Sequence, residues 1–391
     1  MKVMKINLAN PKKYIGISIA QVNKSAGTVC GDYVLSERTE EATTVILCDG
    51  IGSGIKAHVA AVMAANRLME LLRLGFSLRQ ACAKVVMTMH AARTQDIPFS
   101  AFCVCRILSD GQVTIISYEM PAPVIVEQMA VSVASQRFIT LGNEVIAETY
   151  FRLHMQSSLF LFSDGVSQAG MGRVFKFGWK EEGVAQLIRS AFSQQAAMKD
   201  MPRMILEKVR QYSGPDYGDD STVVFLQCRK AKTVHILTGP PAQRQSDQKV
   251  IERFRRLPGN KIICGSTTAD IAAQCLGVPV RSKPVSEAYY KPPQYEIAGI
   301  DLVTEGALTM NQVYNILEED PRSYEADSCV SSLCLFLRSA DAVNLLVGTA
   351  ANPGYQNIIF RQMGVLPRLV IVQKIVEKLK KMGKLVTIEY L

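Results

Sequence analysis

Four aspartates in the first half of the chain lie beside strand-like segments. Asp49 and Asp164 each follow an aliphatic or β-branched run and precede a glycine. Asp219 precedes such a run, and Asp32 stands earlier in Gly31-Asp32-Tyr33. The ends of packed strands can converge in space, and carboxylates that cluster there need cations to offset their mutual repulsion. The pattern therefore predicts a metal site built from carboxylate oxygens.

One Asp-Gly pair carries little information by itself, because this dipeptide is common in turns. Asp110-Gly111 is an example of such an ordinary turn. It lies between the strand-like segments 101–108 and 113–118 and is predicted to turn a hairpin. The other four aspartates differ from such a turn because all of them lie near strand ends within one domain.

The residue types also indicate which metal would bind. Histidines are few in this part of the chain, and His58, His90 and His154 are not predicted to be ligands. Zinc sites in proteins are usually built from histidine and cysteine, whereas oxygen ligands suit hard cations. The sequence therefore favours Mg²⁺ or Mn²⁺ over zinc.

The elements that would position these aspartates come as groups of strands and pairs of helices. This order predicts an α+β fold over residues 1–230, a β-sandwich flanked by helices in αββα layers. A polar basic joint follows at 229–232, and beyond it strands and helices alternate. Residues 231–391 are therefore predicted to form a smaller α/β domain.

The composition limits the possible partners. The net charge is +9, but the basic residues are scattered, so a nucleic-acid interface is not expected. The N-terminal residues lack the apolar core of a signal peptide, and no apolar run approaches about 18 residues, the length of a membrane span. Ten cysteines without paired ligand spacing indicate buried thiols in a reducing compartment. We therefore expect a cytoplasmic protein without a membrane segment, and the oligomeric state stays open.

Three motifs carry a resemblance to a known family. They are Asp49-Gly50-Ile51-Gly52-Ser53-Gly54 before an Ala-rich helix, Ser163-Asp164-Gly165-Val166, and Asp219-Asp220-Ser221-Thr222-Val223-Val224. In order and spacing they resemble the metal-dependent, type 2C-like serine/threonine protein phosphatases of the bacterial sporulation stage II protein E type. The resemblance covers roughly residues 10–228.

The resemblance implies a role for each acidic position. Asp49 would bridge two Mn²⁺ or Mg²⁺ ions, and the Gly50 carbonyl would face one of them. Asp164 and Asp219 would complete the coordination of the first ion. Asp32 would contribute to the site of the second ion. Asp220 would support these ligands without binding an ion itself, or it would exchange roles with Asp219. The implied catalytic set is Asp32, Asp49, Asp164 and Asp219, with no other cofactor.

The implied reaction is hydrolysis of phosphoserine or phosphothreonine in a regulatory partner protein by a metal-activated water. Two alternatives stay open: a non-catalytic binding module on the same fold, and a hydrolase of small phosphate esters. Some relatives hold the substrate phosphate with an early arginine, which is absent here. The early segment offers Lys12, Lys13 and Lys24 instead, and none of them is clearly placed. The insert after Asp164 carries Arg173, Lys176 and Lys180, which could meet a phosphopeptide, although the preferred interpretation of these three is a solvated basic loop.

In the second domain, Gly265-Ser266-Thr267-Thr268 follows a strand and opens a helix. The hydroxyl groups are predicted to cap that helix, although the exposed N–H groups could also hold a phosphate or carboxylate. The segment 346–352 is a second loop of this kind. We therefore expect a regulatory domain that can bind a small-molecule ligand.

Overall fold

The computed structural model describes residues 13–24, 29–52, 54–95, 97–128, 130–194, 196–214, 218–282, 292–350 and 364–391. The described part of the chain divides into two compact units, one ending at Lys230 and the other beginning at Ala231.

The first unit contains a five-stranded antiparallel sheet with the strand order β1-β11-β10-β6-β7. Its strands are β1 (Lys13–Val22), β6 (Val124–Glu127), β7 (Ala130–Val133), β10 (Ser158–Phe162) and β11 (Ser221–Lys230).

A six-stranded antiparallel sheet has the order β2-β3-β4-β5-β9-β8. Its strands are β2 (Asp32–Arg38), β3 (Ala42–Gly50), β4 (Ser100–Leu108), β5 (Gln112–Tyr118), β8 (Arg137–Leu141) and β9 (Glu144–Arg152).

The helices of this unit are α1 (Gly54–Arg73), α2 (Leu78–Thr94), α3 (Asp164–Ser167), α4 (Lys180–Ser193) and α5 (Met201–Ser213). One core joins the facing sides of both sheets, with Leu47 and Cys103 packed near Leu161 and Val224. A second core lies between the six-stranded sheet and α1 and α2, and a third between the five-stranded sheet and α3 to α5. Three apolar layers between four layers of structure give the αββα sandwich, which confirms the predicted fold class.

The second unit is built on a mixed sheet with the order β14-β15-β16-β13-β12-β17-β18. Its strands are β12 (Thr233–Thr238), β13 (Asn260–Cys264), β14 (Arg281–Ser282), β15 (Gln294–Glu296), β16 (Leu302–Thr304), β17 (Ala342–Val347) and β18 (Leu385–Tyr390). The five strands from β16 to β18 in this order are parallel, and β14 and β15 are antiparallel additions at one edge.

Helices cover both faces of this sheet, as its buried parallel strands require. They are α6 (Asp247–Arg256), α7 (Ser266–Leu276), α8 (Ala307–Ile316), α9 (Cys329–Ser339) and α10 (Arg368–Lys381). Helices α6 and α7 pack on one face, and α8, α9 and α10 pack on the other. None of the helices in the described residues is both long and apolar enough to cross a membrane.

Candidate metal centre

Asp32 and Asp49 are direct neighbours on adjacent strands of the six-stranded sheet. Asp32 begins β2, Asp49 is the next-to-last residue of β3, and the two stand opposite each other in the antiparallel register. Directly opposed side chains lie on one face of a sheet, about 4.5–5.5 Å apart at their Cβ atoms. Asp32 is only 2% exposed, and Asp49 is half-buried. The sheet therefore holds two carboxylates side by side at one end of its strands.

Asp164 and Asp219 come from the ends of two paired strands in the other sheet. Asp164 follows β10 and opens α3, and Asp219 precedes β11 by two residues. Strand β10 ends opposite the beginning of β11, with Phe162 paired to Val223. Antiparallel pairing thus brings residues from two distant parts of the chain to one end of the five-stranded sheet.

Ser163 connects the two sheets at this end. Its hydroxyl donates a hydrogen bond to Asp32 Oδ2 at 2.7 Å and accepts one from the Thr222 backbone N–H at 2.9 Å. Ser163 is fully buried. The second oxygen of Asp32, Oδ1, is buried without a hydrogen-bond partner in the described residues. A buried carboxylate oxygen without a donor is costly, and a cation ligated there would satisfy it.

The ionisation of these carboxylates shows that they affect one another. Burial raises the pKa of Asp49, and the negative charges of Asp32, Asp164 and Asp219 raise it further. Burial likewise raises the pKa of Asp32, with a contribution from the carboxylates of Asp220 and Asp164. Carboxylates from both sheets therefore lie close enough for their charges to repel.

Two glycines permit this close packing. An ideal Cβ on Gly50 would lie 1.9 Å from the Ala57 carbonyl oxygen of α1. A Cβ on Gly165 would lie 2.1 Å from the Asp220 carbonyl oxygen. A side chain would therefore displace backbone at either position, which explains why glycine follows both Asp49 and Asp164.

Asp220 binds two backbone N–H groups on the N-terminal side of Asp32. One of its carboxylate oxygens accepts a hydrogen bond from the Lys24 N–H at 2.6 Å, and the other accepts one from the Gly31 N–H at 2.7 Å. Asp219 instead stays half-exposed, with Oδ1 at 3.8 Å from Lys24 Nζ. This geometry favours Asp219 as the ligand and Asp220 as the residue behind it. The sequence did not show the link through Ser163, although Ser163 adjoins the predicted ligand Asp164.

The side chains partly fit the metal that the sequence predicts. Carboxylate oxygens suit a hard cation, and the raised pKa values and the unsatisfied Asp32 Oδ1 fit added positive charge. Within the described residues, however, no three histidine, cysteine, aspartate or glutamate side chains form a group that could hold one ion. The assignment of individual ligands therefore stays a prediction.

The basic candidates from the sequence lie at different places. Lys13 Nζ donates to the carbonyls of Asp110 and Leu153 at the opposite end of β1. Lys24 is next to Asp219, and Arg173 lines a pocket of about 190 Å³ together with Gly165 and Asp219. Lys12 lies outside the described residues.

The histidines serve other contacts. His58 Nδ1 lies 2.8 Å from the Cys30 carbonyl oxygen. His90 contacts Glu144 at 2.6 Å, and His154 lies 3.4 Å from Glu127. None of these contacts involves a predicted ligand.

The capping prediction for the second unit is wrong. Helix α7 begins at Ser266 after Gly265, which has φ 133° and provides no side-chain cap. Ser266 is itself the first residue of the helix, so its hydroxyl does not occupy the capping position. In the other loop, Gly348 packs against Pro240, while Ala351 and Asn352 lie outside the described residues.

The first unit, an αββα sandwich with acidic residues at its strand ends, matches a known protein family. Residues 39–229 match the model of the family described as Stage II sporulation protein E (SpoIIE). This match confirms the resemblance seen in the sequence over residues 39–229. The match ends before the second unit begins.

Several solved structures are similar to the chain, and three of them have the following identities and coverages. The RsbU and RsbW domains of a Mycobacterium tuberculosis protein share 16% identity over 62% of this chain and 69% of that chain, with a TM-score of 0.47. The phosphatase domain of SpoIIE from Bacillus subtilis shares 17% identity over 56% and 95%, with a TM-score of 0.43. RsbX in complex with magnesium shares 13% identity over 55% and 95%, with a TM-score of 0.40. No match is found among curated proteins.

Proposed function

We propose that the first unit is a metal-dependent protein phosphatase that hydrolyses phosphoserine or phosphothreonine in a partner protein. The observation that carries this proposal is the convergence of acidic residues from the strand ends of both sheets, expressed in the raised pKa of Asp49. The family of residues 39–229 supports the same activity.

The residues proposed to hold two Mn²⁺ or Mg²⁺ ions are Asp32, Asp49, Asp164, Asp219 and the carbonyl of Gly50. When bound, such ions supply a water of lowered pKa as the nucleophile and offset charge on the phosphoryl oxygens. The chain's own residues position that chemistry. Ser163 orients Asp32, and Asp220 binds the N–H of Gly31, the residue before Asp32. Lys24 lies close enough to Asp219 to attract a substrate phosphate.

Phosphate release from a phosphothreonine peptide tests the proposal. We expect release with Mn²⁺ or Mg²⁺, none in EDTA, and a loss of at least about a hundredfold in Asp49→Asn because a carboxylate proposed to hold the metal is removed. Asp110→Asn is the matched control, since Asp110 stands in the hairpin turn between β4 and β5 and pairs with Arg152.

Other outcomes separate the alternatives. A folded protein that binds neither Mn²⁺ nor Mg²⁺ would be a non-catalytic module. Faster hydrolysis of a sugar phosphate than of the phosphopeptide would indicate a small-ester hydrolase.

The ligand-sensing role of residues 231–391 also stays a proposal. The strand order reverses between β12 and β17, and doubly wound folds bind ligands at such a point. Screening the full chain against a panel of metabolites by thermal shift tests this role. A panel without any shift, together with unchanged phosphatase activity after removal of this unit, would refute it.

A further inference from the structure

The loop after α3 has a composition unlike its surroundings. Residues 170–180, here called the basic loop, carry Arg173, Lys176 and Lys180 and no aspartate or glutamate. Three of its apolar side chains are more than half exposed: Met171, Val174 and Phe177. Scattered exposed hydrophobic residues are ordinary, but three in one short loop among three cations form a surface suited to a partner.

The loop is held in one shape rather than extended into solvent. The N–H groups of Val174 and Phe175 donate to the Gly170 carbonyl, and the Gly172 N–H donates to the Phe175 carbonyl. Phe175 packs edge-on against Tyr212 at 5.0 Å, and Trp179 does so at 5.4 Å. A surface that is ordered before binding loses less entropy when a partner docks.

The loop is continuous with the candidate metal centre. Arg173 lines the pocket of about 190 Å³ whose wall also includes Gly165 and Asp219. One guanidinium nitrogen, Nη1, donates to the Ser213 carbonyl at 2.8 Å. The other nitrogens have no partner in the described residues, so the guanidinium can still bind an anion beside the place where a phosphate would be hydrolysed.

We propose that the basic loop selects partner proteins with acidic residues next to the phosphorylated serine or threonine, and that Arg173 contacts the nearest carboxylate. Charge complementarity identifies this partner chemistry, because the loop contributes three cations and no anion. The exposed Met171, Val174 and Phe177 would cover apolar parts of the same partner surface. This inference rests on the proposed phosphatase function and adds the class of substrate.

The experiment compares two phosphoserine peptides that differ only in acidic or neutral residues around the phosphoserine. Affinity is measured by fluorescence anisotropy on the full chain in EDTA, and hydrolysis is measured on the same samples with Mn²⁺. We expect the wild-type protein to prefer the acidic peptide. Arg173→Gln should reduce the ratio of the two Kd values by about fivefold, the upper range for one exposed ion pair. Arg173→Glu should turn the preference toward the neutral peptide.

Arg203→Gln provides the matched control. It removes the same charge from α5, where Arg203 is exposed and pairs with Glu207 outside the pocket and the loop. The Kd ratio should stay at the wild-type value in this variant.

The peptide preference tests the loop function, and hydrolysis tests the catalysis, so either proposal can fail while the other holds. Equal affinity for both peptides in the wild-type protein, or an equal effect of Arg203→Gln and Arg173→Gln, would overturn the proposed loop function even if hydrolysis is observed. A retained acidic preference that depends on Arg173, without any hydrolysis, would support the loop function and overturn the proposed catalysis.

Discussion

Ser163 connects residues that are far apart in the chain. Its hydroxyl donates to Asp32 and accepts from the Thr222 N–H, so one buried oxygen orients a predicted ligand and satisfies a backbone group of the other sheet. This buried hydroxyl both donates and accepts a hydrogen bond. Its removal therefore leaves a buried polar group without a partner.

We expect Ser163→Ala to lower both stability and metal affinity. The loss in the free energy of unfolding should be about 1–3 kcal/mol, because the Thr222 N–H is left buried without an acceptor. Mn²⁺ affinity should fall about ten- to a hundredfold because Asp32 loses the group that orients it. Urea denaturation and calorimetric titration measure these effects, and Ser190→Ala on the exposed face of α4 is the control. Unchanged Mn²⁺ affinity would remove Asp32 from the proposed ligand set.

The pKa of Asp49 predicts how stability depends on pH in EDTA. Burial and neighbouring carboxylates raise this pKa above its ordinary value of 3.8. The folded state therefore binds more protons than the unfolded state, and the free energy of unfolding falls as pH rises from about 4 through the raised pKa. The slope is at most about 1.4 kcal/mol per pH unit for each titrating group.

Urea denaturation at pH 5, 6, 7 and 8 in EDTA tests this sign. Asp49→Asn should flatten the decline, because asparagine does not titrate. Asp110→Asn should keep it, because the pKa of Asp110 is lowered and lies below this range. A decline of equal slope in all three proteins would contradict the assignment to Asp49.

At the scale of elements, the approach of α1 to β3 depends on one missing side chain. The carbonyl of Ala57 in α1 occupies the position that a Cβ on Gly50 would take. The carbonyl belongs to the backbone, and a Cβ has a fixed position on its Cα, so the contact cannot be relieved by a change of rotamer.

Gly50→Ala should therefore destabilise the protein by about 1–3 kcal/mol or more, as overpacking does in other cores. Gly16→Ala is the matched control, because Gly16 also lies in a strand. A Cβ placed on Gly16 would lie 3.4 Å from its nearest neighbour, the flexible Arg229 side chain. That variant should be as stable as the wild type or slightly more stable. Equal free energies of unfolding for the two variants would show that α1 moves away without cost.

The elements with a strong period were predictable from the sequence, and others were not. The hairpin predicted from the strand-like segments 101–108 and 113–118 is confirmed by β4 (Ser100–Leu108) and β5 (Gln112–Tyr118). Strand β2 was missed, because Asp-Tyr-Val-Leu-Ser-Glu-Arg is only partly buried and lacks a β-branched run. Helix α9 was also missed, since its buried residues leave little polar face to reveal a helical period.

At the scale of the whole molecule, the acidic centre was predictable as a set and its connections were not. Each Asp stands beside a strand, as the local pattern indicated. The contacts that join the set depend on strand order, which places Ser163 beside Asp32 across 131 positions of sequence. Local patterns do not contain such a pairing, and neither does the place of Arg173 in the pocket.

Each unit has its own apolar cores, and the proposed ligands all belong to the first. Mn²⁺ binding should therefore stabilise the first unit selectively. At a Mn²⁺ concentration of about 100 Kd, the gain in the free energy of unfolding should approach 2.7 kcal/mol.

Hydrogen exchange of the full chain, followed by mass spectrometry, should show slower exchange in peptides from 29–52 and 158–227 when Mn²⁺ is bound. Peptides from 231–282 should exchange at the same rate with and without the ion. Asp164→Asn should abolish the difference, whereas Asp110→Asn should preserve it. Equal protection of the second unit would mean that its stability is coupled to the metal centre, and protection of neither unit would refute the site.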